Sequence, residues 1–204
     1  MRRLTLTEQF LKRLMDIVVS VLVLSLSSPI LFLIALLIKL DSKGEIFYKD
    51  VRIGKGGKPY TTYKFRSMVK DATKMGLGYR MMKDDPRITR VGKWLRRFSL
   101  DELPQLFNVL KGDMSLIGPR PGLPFQVEQY SDFQRRRLEV KPGITGLAQI
   151  SGRNLLSWKE RIEKDIEYID NYSFLLDLKI LLRTPKVVLS KEGIYSDYQQ
   201  EEFL

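Results

Sequence analysis

The sequence predicts a mainly α-helical protein with short β-strands, an α+β fold, held to one face of a membrane as a monotopic protein. Three observations lead there. No charged residue occurs between Asp16 and Lys39, so residues 17–38 form one apolar run, IVVSVLVLSLSSPILFLIALLI. Beyond it, the strand-like and helix-like patterns are all short. Finally, 35 Lys and Arg against 24 Asp and Glu leave a net charge of +11, which favours an anionic partner: nucleic acid, anionic lipid or a phosphorylated small molecule.

As one helix the apolar run would be about 33 Å long, enough for a bilayer core. It has no small-residue cleavage site ahead of Lys39, unlike a signal peptide. Pro29 follows Ser27 and Ser28 near its middle. An interior proline removes a hydrogen bond and clashes with the preceding turn, and serine hydroxyls can satisfy the freed carbonyl. Arg2, Arg3, Lys12 and Arg13 precede the run, and Lys39, Lys43, Lys49 and Arg52 follow it. Positive residues mark the cytoplasmic side. Both flanks are satisfied by a helix that enters, breaks at Ser28-Pro29 and leaves on the same face. A kinked spanning helix is the alternative reading of the same pattern. The domain division is therefore 1–40 for the re-entrant membrane helix, 41–190 for a water-facing domain and 191–204 for a polar tail.

Within the second domain, residues 46–48 and 51–53 read as short strands, Gly54-Lys55-Gly56-Gly57 as a turn, and residues 59–65 as a further strand. Residues 70–86 have no clear period and read as a mobile loop. Residues 90–98 place Val91, Trp94, Leu95 and Phe98 on one face of a short helix. A second helix is expected over 101–110, ending at Lys111-Gly112. Residues 125–139 and 157–173 read as helices, with 141–146 a loop between them. Residues 174–189 are strongly apolar with Asp177, Lys179, Arg183 and Lys186 interspersed. They suit either an interfacial amphipathic helix or a core helix. The tail from Lys191 is expected to fray.

The chain has no Cys and no His. Disulfides and thiolate zinc sites are excluded, and covalent or acid/base chemistry falls to Asp, Glu, Lys, Tyr, Ser or Thr. The run Ser99-Leu100-Asp101-Glu102-Leu103-Pro104-Gln105 sets two adjacent carboxylates among Lys93, Arg96, Arg97, Lys111 and Arg120. Ser99 followed by Glu102 also matches a capping box. With Asp101 as N-cap instead, Pro104 falls where its missing N–H is free anyway. Either frame puts both carboxylates at a helix N-terminus, which favours their ionised forms. Such a pair suits a nucleophile and a Mg²⁺ site facing a diphosphate. Arg120, between Pro119 and Pro121, would be presented from a rigid loop and suits phosphate. Arg153 follows Gly152 and invites the same reading, whereas Lys64 lies in an alternating segment that reads locally as a solvated strand face.

The segments YKFRSM from Tyr63, SLDELPQLFNVLKGDMSLIGPRP from Ser99 and KPGITGLAQISGRN from Lys141, with the apolar run broken at Ser28-Pro29, resemble the bacterial sugar transferase family, the monotopic phosphoglycosyl transferases. WKERIEKDIEYI from Trp158 matches less strictly. The resemblance implies an enzyme seated in one leaflet of the bacterial inner membrane, with its site on the cytoplasmic face. It implies transfer of a sugar-1-phosphate from a UDP-sugar to polyprenyl phosphate, an early step in glycoconjugate or exopolysaccharide synthesis. The family's Asp-Glu dyad maps to Asp101 and Glu102. By that likeness Asp101 forms a covalent phosphosugar intermediate, Mg²⁺ lies at the dyad, and Lys64, Arg96, Arg120 and Arg153 contact phosphate. Asp165 aligns with a further site position of undefined role. The alternatives are a catalytically silent scaffold of the same fold, against which the intact Asp101-Glu102 pair counts, and a nucleic-acid-binding protein. The uncharged membrane run and the lack of a binding module count against nucleic acid.

Overall fold

The computed structural model of the chain describes residues 4–76, 78, 79, 84–190 and 193. Its first element, α1 (Leu6–Asp41), is a 36-residue helix. A capping box starts it: the Thr5 hydroxyl accepts from the Glu8 N–H at 3.2 Å, and the Glu8 carboxylate accepts from the Thr5 N–H at 3.0 Å. The helix runs through Ser28-Pro29, where a break was expected from the sequence. Pro29 has no N–H for the Ser25 carbonyl, and the Ser28 hydroxyl donates to that carbonyl at 2.9 Å. Ser27 Oγ donates likewise to Val23 O at 2.5 Å.

Both ends of α1 pack on the same domain. In its first half Lys12, Asp16 and Ser20 are buried, and Met15, Val19, Val23 and Leu24 join the main core. In its second half Leu31, Ile34, Ala35 and Ile38 join a smaller cluster with Phe65 and Leu95. None of the apolar side chains between residues 25 and 30 joins either cluster. The opposite face exposes Leu6, Phe10, Leu14, Val18, Leu22, Leu26 and Ile30, then Leu33, Leu37 and Leu40. The spacing of three and four residues makes this one continuous apolar stripe. The helix is long and apolar enough to cross a membrane.

A hairpin follows. The strands β1 (Phe47–Ile53) and β2 (Pro59–Phe65) pair antiparallel, from Phe47 opposite Phe65 to Ile53 opposite Pro59. Gly56 and Gly57 turn the chain at φ of 68° and 77°. The two strands expected at 46–48 and 51–53 are one. Lys49 and Asp50 looked like an interruption, but they simply continue the two-residue alternation. The segment after β2, read as a mobile loop, is tied down where it is described. The Arg87 guanidinium donates to the carbonyls of Ala72 at 2.9 Å and Gly78 at 2.8 Å and pairs with Asp85 at 2.7 Å.

Next come α2 (Arg90–Arg97), capped by Thr89, and α3 (Gln105–Lys111), which ends at Gly112 with φ of 95°. Between them residues 100–102 form a 3-10 turn, so the single helix expected over 101–110 is split. The strands β3 (Ser115–Ile117) and β4 (Gly143–Thr145) pair in parallel. The sequence predicts a loop at β4, because three residues that begin at Gly143 and run into Gly146 carry no pattern. The glycines serve close approach: a Cβ on Gly143 would stand 2.1 Å from the Gly118 nitrogen. The helix expected over 125–139 is divided into α4 (Pro124–Glu128), α5 (Asp132–Arg135) and a 3-10 turn. Ser131 forces the division by capping α5 through the Gln134 N–H. The order then runs α6 (Leu147–Ile150), α7 (Trp158–Asp170) and α8 (Phe174–Ser190). Helix α8 packs one face on the core, as one of the two readings of its sequence expects. Asp177 and Ile180 are buried, while Leu175, Leu182 and Leu189 are exposed on the other face. Apart from Gly193, the predicted polar tail lies outside the described residues.

A buried polar cluster fixes α1 to the domain. Lys12 Nζ donates to Asp177 Oδ2 at 2.7 Å and to the Ile117 carbonyl at 3.1 Å. Tyr168 donates its hydroxyl to Asp177 Oδ1 at 2.6 Å. Asp16 Oδ1 accepts from the Leu116 N–H at 2.9 Å and from Ser115 Oγ at 3.0 Å.

Candidate active site

A cleft of about 1290 Å³ is lined by β2, the 100–102 turn, the Arg120 loop, α6, α7 and α8. Lys64, Arg96, Asp101, Glu102, Arg120, Arg153 and Asp165, all singled out from the sequence, face into it. Ser28 and Pro29 are not among its lining residues.

The local backbone explains the pair of carboxylates. Ser99 adopts a left-handed conformation with φ of 55° and makes no capping bond. The expected Ser99–Glu102 capping box is therefore absent. Glu102 is drawn instead to cations from two other elements. Lys64 Nζ, on β2, lies 3.0 Å from Glu102 Oε1. Arg120 forks onto the same carboxylate, NH2 to Oε1 at 2.5 Å and NH1 to Oε2 at 3.2 Å. Lys64 thus lines the cleft, paired with Glu102, and is no solvated strand face; the alternating pattern that suggested otherwise could not show that its pleat faces the 100–102 turn.

Asp101 differs from its neighbour. Among the described residues no side chain or backbone group bonds its carboxylate. Burial and the adjacent Glu102 push its pKa up, against the pull of Lys64, Arg96 and Arg120. The sequence-based expectation that a helix terminus lowers both carboxyls fails for Asp101, whose pKa is raised, and for Glu102 it holds in direction but not in cause. Burial would raise Glu102, but Arg120 and Lys64 overcome it and hold the carboxyl well below its ordinary range. The cause is ion pairing and not a helix terminus, since the dyad precedes α3 in its own 3-10 turn. Glu102 in turn raises Arg120, while burial lowers Lys64 and Arg153.

Arg96 Nε donates to Ser67 Oγ at 2.8 Å, and Arg153 NH2 to Ser99 Oγ at 3.3 Å. Both guanidiniums line the same cleft as Asp101. Among the described residues Asp165 makes no hydrogen bond or ion pair with either member of the dyad. It pairs with Arg137, whose Nε lies 2.8 Å from Asp165 Oδ2. Arg137 was not visible as a site residue, because it stands in the run Arg135-Arg136-Arg137, which reads as a solvated charge cluster. Only the 3-10 turn over 136–139 turns this one inward.

For a divalent cation the donor set is oxygen-only. Glu102 has both oxygens engaged by Arg120 and Lys64, and Asp101 has both available. No group of three acidic residues with metal-binding geometry occurs among the described residues. One or two carboxylates completed by substrate phosphates is the usual arrangement for Mg²⁺, and the dyad fits that use.

The cleft lining also includes apolar side chains: Val19 and Val23 of α1, Ile144 and Ala148, and Leu181 and Val188 of α8. Comparison with known proteins identifies the class of protein to which this fold and cleft belong. The chain belongs to the bacterial sugar transferase family, which matches residues 7–191. It is 48% identical over 184 residues to the uncharacterized sugar transferase EpsL of Bacillus subtilis, covering 90% of each chain. It is 42% identical over 203 residues to an undecaprenyl-phosphate galactose phosphotransferase of Salmonella typhimurium, covering 93% of this chain and 42% of that one. It is 49% identical over 183 residues to the UDP-glucose:undecaprenyl-phosphate glucose-1-phosphate transferase of Klebsiella pneumoniae, covering 85% and 39%. The chain therefore spans nearly all of EpsL and less than half of the other two.

Proposed function

We propose that this sugar transferase moves a sugar-1-phosphate from a UDP-sugar to undecaprenyl phosphate through a covalent intermediate on Asp101. The reading rests above all on the asymmetry of the dyad. Glu102 is saturated by Lys64 and Arg120, while Asp101 stands open in a cleft ringed by cations. The Asp101 carboxylate oxygen attacks the phosphorus that carries the sugar. The bond from that phosphorus to the bridging oxygen breaks and UMP leaves. An oxygen of the polyprenyl phosphate then attacks the same phosphorus, the Asp101–phosphorus bond breaks, and the carboxylate is restored. Arg120, Arg96 and Arg153 offset charge on the transferring phosphoryl oxygens, where positioning and electrostatics supply most of the rate. Glu102 orients Arg120 and Lys64. Mg²⁺, held by Asp101 and the substrate phosphates, would neutralise the diphosphate.

The apolar lining of the cleft suits an isoprenoid chain, and its α1 residues adjoin the exposed apolar stripe. Both ends of α1 pack on one domain, which supports an entry and exit on the same face of the membrane, and the basic residues on both flanks favour the cytoplasmic face of the inner membrane. Residues 25–30, packed in neither core cluster, would reach deepest into lipid. A screen of UDP-sugars with Mg²⁺ and undecaprenyl phosphate tests the reaction: UMP release from at least one donor is expected, and none from any donor would refute it. Cysteines introduced at Leu4 and Ser42 test the topology, since the chain has none of its own. Both should label from the cytoplasmic side, and labelling from opposite sides would refute a re-entrant α1.

A further inference from the structure

We propose that Arg137 and Asp165 are positioning residues for Arg120, setting the guanidinium that grips Glu102 by holding the backbone from which it projects. The inference rests on the proposed reaction and extends it to side chains that do not touch substrate. Arg137 is buried, with a side chain 5% exposed, and Asp165 with one 3% exposed. Arg137 NH2 donates to the Arg120 carbonyl at 2.8 Å, Nε to Asp165 at 2.8 Å and NH1 to the Tyr130 hydroxyl at 2.5 Å. The Tyr130 and Trp158 rings lie 5.5 and 5.3 Å from its guanidinium carbon. Tyr130 presses the far side of the same loop: a Cβ on Gly122 would stand 2.6 Å from its hydroxyl. The chain of contacts thus runs from Asp165 on α7, through Arg137, to the Arg120 backbone, and out along the Arg120 side chain to Glu102.

Two arguments favour positioning over mere stability. A buried ion pair is a poor source of stability, because well-packed apolar residues of similar volume do as well or better. This pair also directs one of its donors at a loop carbonyl, a contact that an apolar replacement cannot make. Lysine in place of Arg137 keeps the charge but cannot reach three acceptors in a planar fork. The chain also gives Asp165 a role through Arg137, the cation with which it pairs.

The test measures UMP release and thermal unfolding of the purified full chain in detergent. Arg137→Lys and Asp165→Asn should each lower kcat by about ten- to a hundredfold, the scale of a small misplacement. The double variant Arg137→Met/Asp165→Leu should melt at or above the wild-type temperature and remain equally slow. Recovery of both kcat and melting temperature in that double variant would overturn the proposal. In an Arg120→Ala background nothing is left to position, so adding Arg137→Lys should change kcat by less than about twofold, following the non-additivity of linked residues. An undiminished effect there would overturn it as well. If Arg137→Lys fails to fold, Asp165→Asn takes its place in the Arg120→Ala cycle. Wild-type turnover separates the two hypotheses. Its absence counts against the proposed reaction, whereas normal wild-type turnover with unimpaired variants counts against the positioning role alone.

Discussion

Two ionic clusters in this molecule invite comparison. One lies under α1 and joins Lys12, Asp177 and Tyr168; the other lines the cleft and joins Lys64, Arg120, Glu102 and Asp101. Each contains an aspartate whose pKa burial pushes up. In the first cluster the aspartate is closed. Asp177 gives one oxygen to Lys12 and the other to the Tyr168 hydroxyl. In the second the cations are taken by the neighbouring glutamate and the aspartate stays open. Desolvation is common to both; the number of unclaimed oxygens separates an anchor from a reactive group.

The largest expected effect breaks the open cluster. Asp101→Asn should lower UMP release by at least about 10³-fold, the scale on which removing a nucleophile acts. The same change should raise the melting temperature at pH 7. Asp101 has a folded pKa above its ordinary value of 3.8, so its ionisation opposes folding as pH rises through that raised pKa. The asparagine variant escapes this, and its advantage should vanish below pH 3.8. A variant that is dead and also less stable at pH 7 would contradict the description of Asp101 as an open, desolvated carboxylate.

Breaking the closed cluster should act on stability first. Lys12→Met leaves Asp177 buried without its cation, at about 3–5 kcal/mol, measured by urea denaturation in detergent. Adding Asp177→Leu should recover most of the loss, because no unpaired charge then remains. A Lys12→Met chain as stable as the wild type would show that the cluster does not anchor α1.

The two adjacent carboxylates should respond to pH with opposite signs. Glu102 has a folded pKa well below its ordinary 4.5. It therefore contributes stability above that value, which is lost as pH falls through the folded pKa. Glu102→Gln should destabilise at pH 7, and the difference from wild type should shrink in acid. A smaller effect concerns the acid limb of the pH–rate profile. Lys64 is one of the cations that pull the Asp101 pKa down, so Lys64→Met should move that limb to higher pH. An unmoved limb would mean that the titrating group is not Asp101.

Much of the second cluster was legible in the chain, and little of the first. Asp101, Glu102, Arg120 and Arg153 stand in short strings with proline or glycine neighbours, where local geometry constrains the side chain. Lys12 read as part of a basic flank and Asp177 as a charge scattered through an apolar helix. Their meeting spans 165 residues, and no local period records it. Arg137 was hidden for the same reason, inside three consecutive arginines. The elements followed a similar rule. The hairpin and α2 announce themselves by alternation and amphipathicity. β4 has three residues and belongs to a strand only because β3 lies beside it. At α3 the sequence suggested one helix from Asp101, and it is the left-handed Ser99 and the 3-10 turn that lift the dyad out of it.

The central claim is that Asp101 carries the phosphosugar between donor and acceptor. It is tested most directly by mixing the protein with Mg²⁺ and a UDP-sugar radiolabelled in the phosphate next to the sugar, with no acceptor present. The account predicts a burst of UMP close to one per active chain, label retained on the denatured protein, release of that label on adding undecaprenyl phosphate, and no label on Asp101→Asn. UMP formed only when the acceptor is present, with no label on the protein at any time, would contradict it.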